Sequence, residues 1–281
     1  MPDRALMVFM SLGAALALAS GAARAQETCG DPMPCLVENG DYLMRAPTGW
    51  DGKSPLPVIL FFHGAGNTAR DSMNDEGLKA AAEVNGALFV AAEGENRNWS
   101  YPGKMRGTRG DFRYVDNVLD DVERRLPIDK ADILASGFSV GGSMVWYLAC
   151  LQARRFRAFA AVAGAFWEPM PESCPVGPVS LRHIHGIADR TVPMKGRELR
   201  GGLFRQGDVE ESLRRLRTRD ECPDAPDRAF EKGGLACRLW SAKTCSSHRE
   251  VEVCLHDGEH NLDGAWIGDG FQWMKELPDG R

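Results

Sequence analysis

Short apolar stretches alternate with longer amphipathic ones along most of the chain. The apolar stretches have the length of strands buried on both faces of a sheet, and they lie at residues 58–62, 87–91, 132–138, 159–163 and 179–184. Segments with helical spacing of apolar residues lie between and after them, at residues 72–84, 114–126, 144–152, 207–217 and 265–277. This alternation predicts an α/β fold, with a mostly parallel central sheet flanked by helices in one continuous domain.

Two further segments predict strands with an exposed side. Asn39-Gly40 separates the short apolar pairs at residues 36–37 and 42–44, which is a strong hairpin signal and indicates leading antiparallel edge strands. Residues 251–255 alternate between apolar and polar, as in a strand with one wetter face.

The first 25 residues have the organisation of a secretory signal peptide. Arg4 supplies a positive start, residues 5–19 are apolar, and Ala23-Arg24-Ala25 forms a small-residue cleavage site. A retained membrane anchor is the alternative, but the apolar run is shorter than the roughly 20 residues of a spanning helix. We expect residues 1–25 to be removed and residues 26–281 to form the exported domain, periplasmic or extracellular, without a membrane span.

Composition and charge narrow the class of protein. The chain has 43% hydrophobic and 26% charged residues, as an ordinary globular domain does. Its net charge of −5 falls to −6 on cleavage, because two Arg and one Asp leave. An acidic protein is a poor candidate for nucleic-acid binding.

All eight cysteines follow the predicted cleavage site. An even number in an exported chain favours disulfides, and we expect four. Zinc is disfavoured, because the spacings match no common finger. The short loop between Cys29 and Cys35 makes this pair the simplest one, while spacing alone leaves the other pairings open.

The central chemical motif is Gly137-x-Ser139-x-Gly141, between an apolar run and a helical one. A nucleophilic serine on a sharp strand-to-helix turn needs small residues two positions away on each side. The following helix would direct the Val140 N–H towards an anionic intermediate. The alternative is an ordinary glycine-rich turn.

Further chemistry follows other predicted strands. Ligands bind at the carboxyl ends of parallel strands, and Asp189 and His260 both follow such ends. A serine nucleophile needs a base and a carboxylate to orient it, and here they occur in the order Ser, Asp, His. His256 and His248 compete with His260 as the base, but His256 ends a strand, whereas His260 lies on a loop preceded by Gly258.

These motifs resemble those of secreted α/β-hydrolases in the group of polyhydroxybutyrate depolymerases, feruloyl esterases and acetylxylan esterases. The stretches that carry the resemblance are residues 61–64, 116–122, 127–129, 137–144, 148–150, 185–193 and 258–260. The chain departs from that group around the histidine, where Glu259 precedes His260 and Asn261-Leu262-Asp263 follows it.

The resemblance implies an α/β-hydrolase fold and a role for each matched residue. Ser139 would be the nucleophile, Asp189 the triad acid and His260 the base. Ala65 and Val140 would supply the oxyanion N–H groups. The resemblance also implies a disulfide between Cys150 and Cys174.

Other residues near the strand ends are candidates for substrate binding. His63 and Gly64 follow the first buried strand, and Trp99 follows the second. Trp99 and Tyr101 would either line the acyl site or cap the core.

Metal and nucleotide sites are the alternatives for two other motifs. His183 and His185 lie two apart on one strand face, where sheet packing is favoured over a metal pair. Residues 64–69 match a dinucleotide fingerprint, but an exported protein meets no nicotinamide pool. We therefore expect neither cofactor nor metal.

The expected activity is hydrolysis of small soluble esters: hydroxyalkanoate oligomers, feruloyl esters or acetyl esters. No linker or second domain is apparent that would hold a polymer surface. A serine peptidase and a catalytically silent binding protein on the same fold are the alternatives.

Overall fold

The computed structural model describes residues 29–102 and 109–278. The predicted signal peptide at residues 1–25 lies outside the described residues. The strands are β1 (Cys35–Val37), β2 (Gly40–Arg45), β3 (Leu56–Phe62), β4 (Leu88–Ala92), β5 (Ile128–Phe138), β6 (Ala158–Val162), β7 (Trp167–Glu168), β8 (Leu181–Gly186), β9 (Arg197–Leu199), β10 (Phe204–Gln206), β11 (Arg228–Lys232), β12 (Leu235–Trp240) and β13 (Val251–His256). The helices are α1 (Ala69–Asn74), α2 (Glu76–Val84), α3 (Asp111–Arg125), α4 (Val140–Leu151), α5 (Val209–Arg219) and α6 (Gly264–Glu276).

A ten-stranded sheet forms the centre of the domain, in the order β1-β2-β4-β3-β5-β6-β8-β13-β12-β11. The strands from β4 to β13 in this order are parallel, and antiparallel pairs close both edges. The mostly parallel α/β domain predicted from the sequence is confirmed, and so is the β1–β2 hairpin, in which Val37 pairs with Gly40.

Helices cover both faces of the sheet because its central strands are apolar on both sides. On one face, α3, α4 and α5 pack on β3, β5 and β6 through a core that includes Val118, Trp146 and Leu213. On the other face, α1, α2 and α6 form a second core around Met73 and Phe271. The strand ends between these layers are thereby held in fixed positions.

Two boundary predictions were wrong. The helix expected at residues 72–84 is two helices, because Asp75 has extended backbone angles and its side chain accepts a hydrogen bond from Leu78 N at 2.8 Å, capping α2. The strand expected to begin at residue 132 begins at Ile128, which pairs with Leu56; its first four residues are half-buried or exposed and therefore lack the apolar pattern of the buried part.

The expected number of four disulfides is confirmed, and so are the predicted pairs Cys29–Cys35 and Cys150–Cys174. The other two pairs are Cys222–Cys245 and Cys237–Cys254. The last two pairings were not deducible from spacing. Cys237 and Cys254 also group with Glu252, but the disulfide occupies both sulfurs and leaves no thiolate ligand for a metal.

Candidate active site

Ser139 lies at the sharp turn between β5 and α4. Its φ of 58° and ψ of −121° are strained for a residue with a side chain, as a nucleophile elbow requires. A Cβ on Gly137 would lie 2.6 Å from Gly141 O, and one on Gly141 would lie 2.0 Å from Phe62 O. Only glycine fits these two positions, so the glycine-rich motif has the packing role that the sequence indicated.

Asp189 and His260 meet at the carboxyl ends of β8 and β13. His260 Nδ1 donates to Asp189 Oδ2 at 2.6 Å, a short, charge-assisted hydrogen bond. The other carboxylate oxygen accepts from the backbone N–H groups of Thr191 at 2.7 Å and Val192 at 2.8 Å. The imidazole therefore fixes one oxygen of the carboxylate, and two backbone N–H groups fix the other. The Nε2 atom of His260 takes no part in the bond to Asp189.

The elbow and the acid–histidine pair are neighbours. The ring of Phe138, the residue before the serine, packs on the His260 ring with centroids 4.7 Å apart. Ser139 is 7% exposed and Asp189 is 4% exposed, so both residues are largely shielded from water at the carboxyl edge of the sheet. The three sequence-predicted residues are brought to one place, whereas His248 lies elsewhere, with Nδ1 near Ala242 O.

The charge state of the pair follows from its surroundings. Burial acts to raise the pKa of Asp189, but hydrogen bonds from His260 and Val192 and the nearby imidazoles outweigh burial and lower this pKa. Asp189 is thus ionised at neutral pH and oriented towards His260. His256, the competing base, binds Gly258 N through Nδ1 and packs on Trp266, and burial lowers its pKa.

A second pair of histidines lies beneath Asp189. His185 Nε2 donates to Val192 O at 2.7 Å and lies 3.6 Å from Asp189 Oδ2. His183 Nε2 then donates to His185 Nδ1 at 3.0 Å. Burial lowers the pKa of both imidazoles, so both are neutral at pH 7. They bind each other and the backbone, as sheet-packing residues do.

The backbone N–H groups of Ala65 and Val140 have no hydrogen-bond partner within residues 29–102 and 109–278. Val140 N–H is at the first position of α4, where the helix dipole favours negative charge. Both residues line the same cavity as Ser139. Two free donors beside a serine are the arrangement that stabilises an oxyanion.

The cavity at Ser139 has a volume of about 460 Å³. One wall comes from the segment after β4, including Trp99 and Asp111. The opposite wall comes from a three-stranded antiparallel sheet in the order β7-β10-β9. Its volume and mixed lining suit a small organic ester.

The sequence pattern did not predict this small sheet, although it contributes Trp167, Arg197 and Gln206 to the cavity. The available signal was weak: residues 197–199 and 204–206 flank Gly201-Gly202, which is a turn signal, but each strand has only three residues.

The substrate-binding role expected of His63 needs correction. Its side chain is 1% exposed, Nδ1 donates to Gly64 O at 2.8 Å, and Nε2 accepts from Gly94 N at 2.9 Å. Neither His63 nor Gly64 is among the described residues that line the cavity at Ser139. Instead, His63 ties the Gly64-Ala65 loop to the segment after β4.

Trp99 combines the two roles that the sequence left open. It is 2% exposed, its Nε1 donates to His63 O at 2.8 Å, and it packs edge-on against Phe62. It is also part of the cavity wall. Tyr101 is 4% exposed and stacks on Tyr147, so it caps the core.

Comparisons with known proteins identify relatives that match most of the chain. No protein-family model matches the chain. It is 31% identical to the probable feruloyl esterase C of Aspergillus terreus over 242 residues, covering 83% of this chain and 80% of that relative. The chain belongs to the feruloyl esterase C family. Membership in this family makes it a carboxylic ester hydrolase.

Two further members give similar matches. The probable feruloyl esterase C of Aspergillus niger is 29% identical over 83% of this chain and 79% of its own length. The feruloyl esterase C of Emericella nidulans is 32% identical over 169 residues, and the match spans only 58% of that relative. The expected resemblance to the esterase group is confirmed.

Solved structures confirm the α/β-hydrolase fold. Acetyl xylan esterase from Aspergillus awamori superposes with a TM-score of 0.60 at 11% identity, covering 83% of this chain and 94% of that one. An S-formylglutathione hydrolase from Agrobacterium tumefaciens gives a TM-score of 0.57 at 14% identity, with 87% and 94% covered. Within the described part of the chain, no helix is long and apolar enough to cross a membrane.

Proposed function

We propose that this member of the feruloyl esterase C family is a secreted serine esterase whose catalytic triad is Ser139, His260 and Asp189. The observation that carries the proposal is the 2.6 Å hydrogen bond from His260 Nδ1 to Asp189, directly beside the strained serine turn. Because Nδ1 carries the proton, Nε2 has a lone pair with which to accept the serine proton.

The reaction follows from these groups. Ser139 Oγ attacks the ester carbonyl carbon while His260 Nε2 takes the hydroxyl proton. The carbonyl oxygen becomes an oxyanion that accepts hydrogen bonds from the N–H groups of Ala65 and Val140. Collapse expels the alcohol, which receives the proton from His260, and leaves an acyl-serine. Water, activated by His260, then releases the carboxylic acid and restores Ser139.

The proposed substrates are small soluble esters with a feruloyl, acetyl or hydroxyalkanoate acyl group. The relatives' names support feruloyl esters. The apolar part of the cavity wall, formed by Trp167, Leu199 and Phe204, offers packing for an aromatic or aliphatic acyl group. Secretion is supported by four disulfides, which persist in oxidising compartments.

The test is a panel of esters assayed with purified wild type, Ser139→Ala and the control Ser246→Ala, which alters an exposed serine. The panel contains methyl ferulate, 4-nitrophenyl acetate, hydroxybutyrate oligomers, acetylated xylo-oligosaccharides and a dipeptide amide. We expect Ser139→Ala to lower kcat by about 10⁴-fold or more on every ester that the wild type cleaves, and Ser246→Ala to match the wild type. Wild-type turnover by Ser139→Ala, or cleavage of the amide alone, would overturn the proposal.

A further inference from the structure

The small sheet β7-β10-β9 has two chemically distinct faces. Residues directly opposite each other in antiparallel strands share a face, and successive residues alternate. Trp167, Gln206 and Arg197 are paired across the three strands, and all three line the cavity at Ser139. Leu199 and Phe204 form a second cross-strand pair on this cavity face.

The outer face of the same sheet carries the other charged residues of its three strands. Glu168, Arg205 and Glu198 are paired across the strands, and Arg205 forms an ion pair with Glu198 at 3.5 Å. Both carboxylates of the small sheet therefore lie on the face turned away from the cavity. This arrangement leaves the cavity face with an arginine and no acid.

Arg197 is held in the cavity wall without an anionic partner. Arg197 is exposed, and its Nε donates to Gln206 Oε1 at 3.2 Å; because Gln206 is only 4% exposed, a buried amide fixes one side of the guanidinium. No carboxylate lies within ion-pair distance of Arg197 in residues 29–102 and 109–278. The two terminal nitrogens of the guanidinium are therefore available for a ligand.

The acids of the opposite wall are already occupied. Asp111 is 1% exposed, and its two oxygens accept from Arg109 Nε at 2.6 Å and Ser100 N at 2.5 Å. Glu95 accepts from Arg109 N at 3.0 Å. The Arg109 guanidinium thus compensates the charge of Asp111, and the Arg109 backbone N–H binds Glu95.

We propose that Arg197 is a specificity-determining residue that binds a carboxylate on the ester substrate. The substrate class is an ester with an apolar chain or ring that ends in a carboxylate, such as a half-ester of a dicarboxylic acid. The chain or ring packs on Trp167, Leu199 and Phe204, and the guanidinium of Arg197 receives the carboxylate in the two-pronged geometry that arginine offers. The inference rests on the proposed function, because it uses the cavity at Ser139.

The experiment compares esters that differ only in this group: monomethyl adipate with methyl hexanoate, and monomethyl terephthalate with methyl 4-methylbenzoate. Rates are measured by proton release for wild type, Arg197→Gln and the control Arg205→Gln, which changes an arginine on the outer face of the same sheet. For at least one pair, we expect Arg197→Gln to lower the ratio of kcat/KM for the anionic ester to that for the neutral ester about tenfold. Arg205→Gln should retain the wild-type ratio, and added salt should reduce the wild-type ratio.

Each preparation is first titrated with a fluorophosphonate, which tests the nucleophile without an ester. Absence of labelling counts against the proposed function. If the enzyme is labelled but Arg197→Gln keeps the wild-type ratio, if both arginine variants lower the ratio equally, or if no anionic ester is cleaved, the role of Arg197 is refuted while the proposed triad stands.

Discussion

Replacing Asp189 by asparagine should nearly abolish turnover without disturbing the fold. The side chain keeps its size, and the amide oxygen can still accept the N–H groups of Thr191 and Val192, which fix the orientation of the side chain. The amide NH₂ then occupies the position of Oδ2 and faces His260 Nδ1. Because NH₂ is a donor, Nδ1 must become the acceptor, and the imidazole proton moves to Nε2.

A histidine protonated at Nε2 cannot accept the serine proton. A wrong tautomer of this kind costs about 10⁴-fold in kcat, equivalent to about 5.4 kcal/mol of activation free energy. We expect KM for 4-nitrophenyl acetate to change little, because the cavity is intact. The matched control is Asp257→Asn, which alters an exposed carboxylate on the neighbouring loop.

The assay is steady-state kinetics at pH 7.5, together with thermal unfolding of each variant to show that the fold is kept. If Asp189→Asn retains more than a tenth of the wild-type kcat, the hydrogen bond to His260 does not set the catalytic tautomer. An equal loss in Asp257→Asn would likewise refute the reasoning, since within the described residues that carboxylate forms neither a hydrogen bond nor an ion pair with His260.

Three further predictions concern stability. Burial lowers the pKa values of His183 and His185, so the unfolded chain binds more protons as the pH falls below about 6.5, and the free energy of unfolding should then fall by up to about 1.4 kcal/mol per pH unit for each histidine. Burial raises the pKa of Asp220 to about 6 and also raises those of Asp41, Asp111, Glu250 and Glu252, which acts in the opposite direction. Urea melts from pH 7.5 to 5.5 are therefore compared between the wild type and His183→Gln, and equal slopes would contradict the assignment. Gly141→Ala should destabilise by about 3 kcal/mol or more, because its Cβ would lie 2.0 Å from Phe62 O. Gly110→Ala, at the N-cap of α3 with open space around it, should cost no more than about 1 kcal/mol in chemical denaturation. Replacing Cys150 and Cys174 together by serine should cost about 3 kcal/mol in the same assay, because the disulfide closes a loop with a sequence separation of 24, and an unchanged midpoint would show that the pair contributes nothing.

The parts of the fold that the sequence predicted are those with long, strongly patterned segments. The run Val58–Phe62 is apolar because β3 is buried on both faces, so its pattern is unambiguous. The position of Asp189 and His260 followed from a general rule, since parallel strands end at the same edge of a sheet. Such segments can be predicted without knowledge of their tertiary contacts, because their own pattern determines the element that they form.

The missed parts depend on contacts between distant segments. Strand β7 has two residues and β9 and β10 have three each, too few for a detectable period, and they form because they pair with one another. The partners of Cys237 and Cys254 are set by their opposite positions in the pairing of β12 with β13. His63 looked like a substrate residue because it follows a strand end, but only the fold reveals that Gly94 N and Gly64 O occupy its ring nitrogens.

The most direct test of the central claim is to identify the serine that reacts. Wild-type enzyme is treated with a fluorophosphonate, its intact mass is measured, and the modified peptide is sequenced by mass spectrometry. We predict one adduct per chain, located on Ser139, which is absent from Ser139→Ala and forms much more slowly in Asp189→Asn. An adduct on another serine, or unchanged labelling of Ser139→Ala, would contradict it.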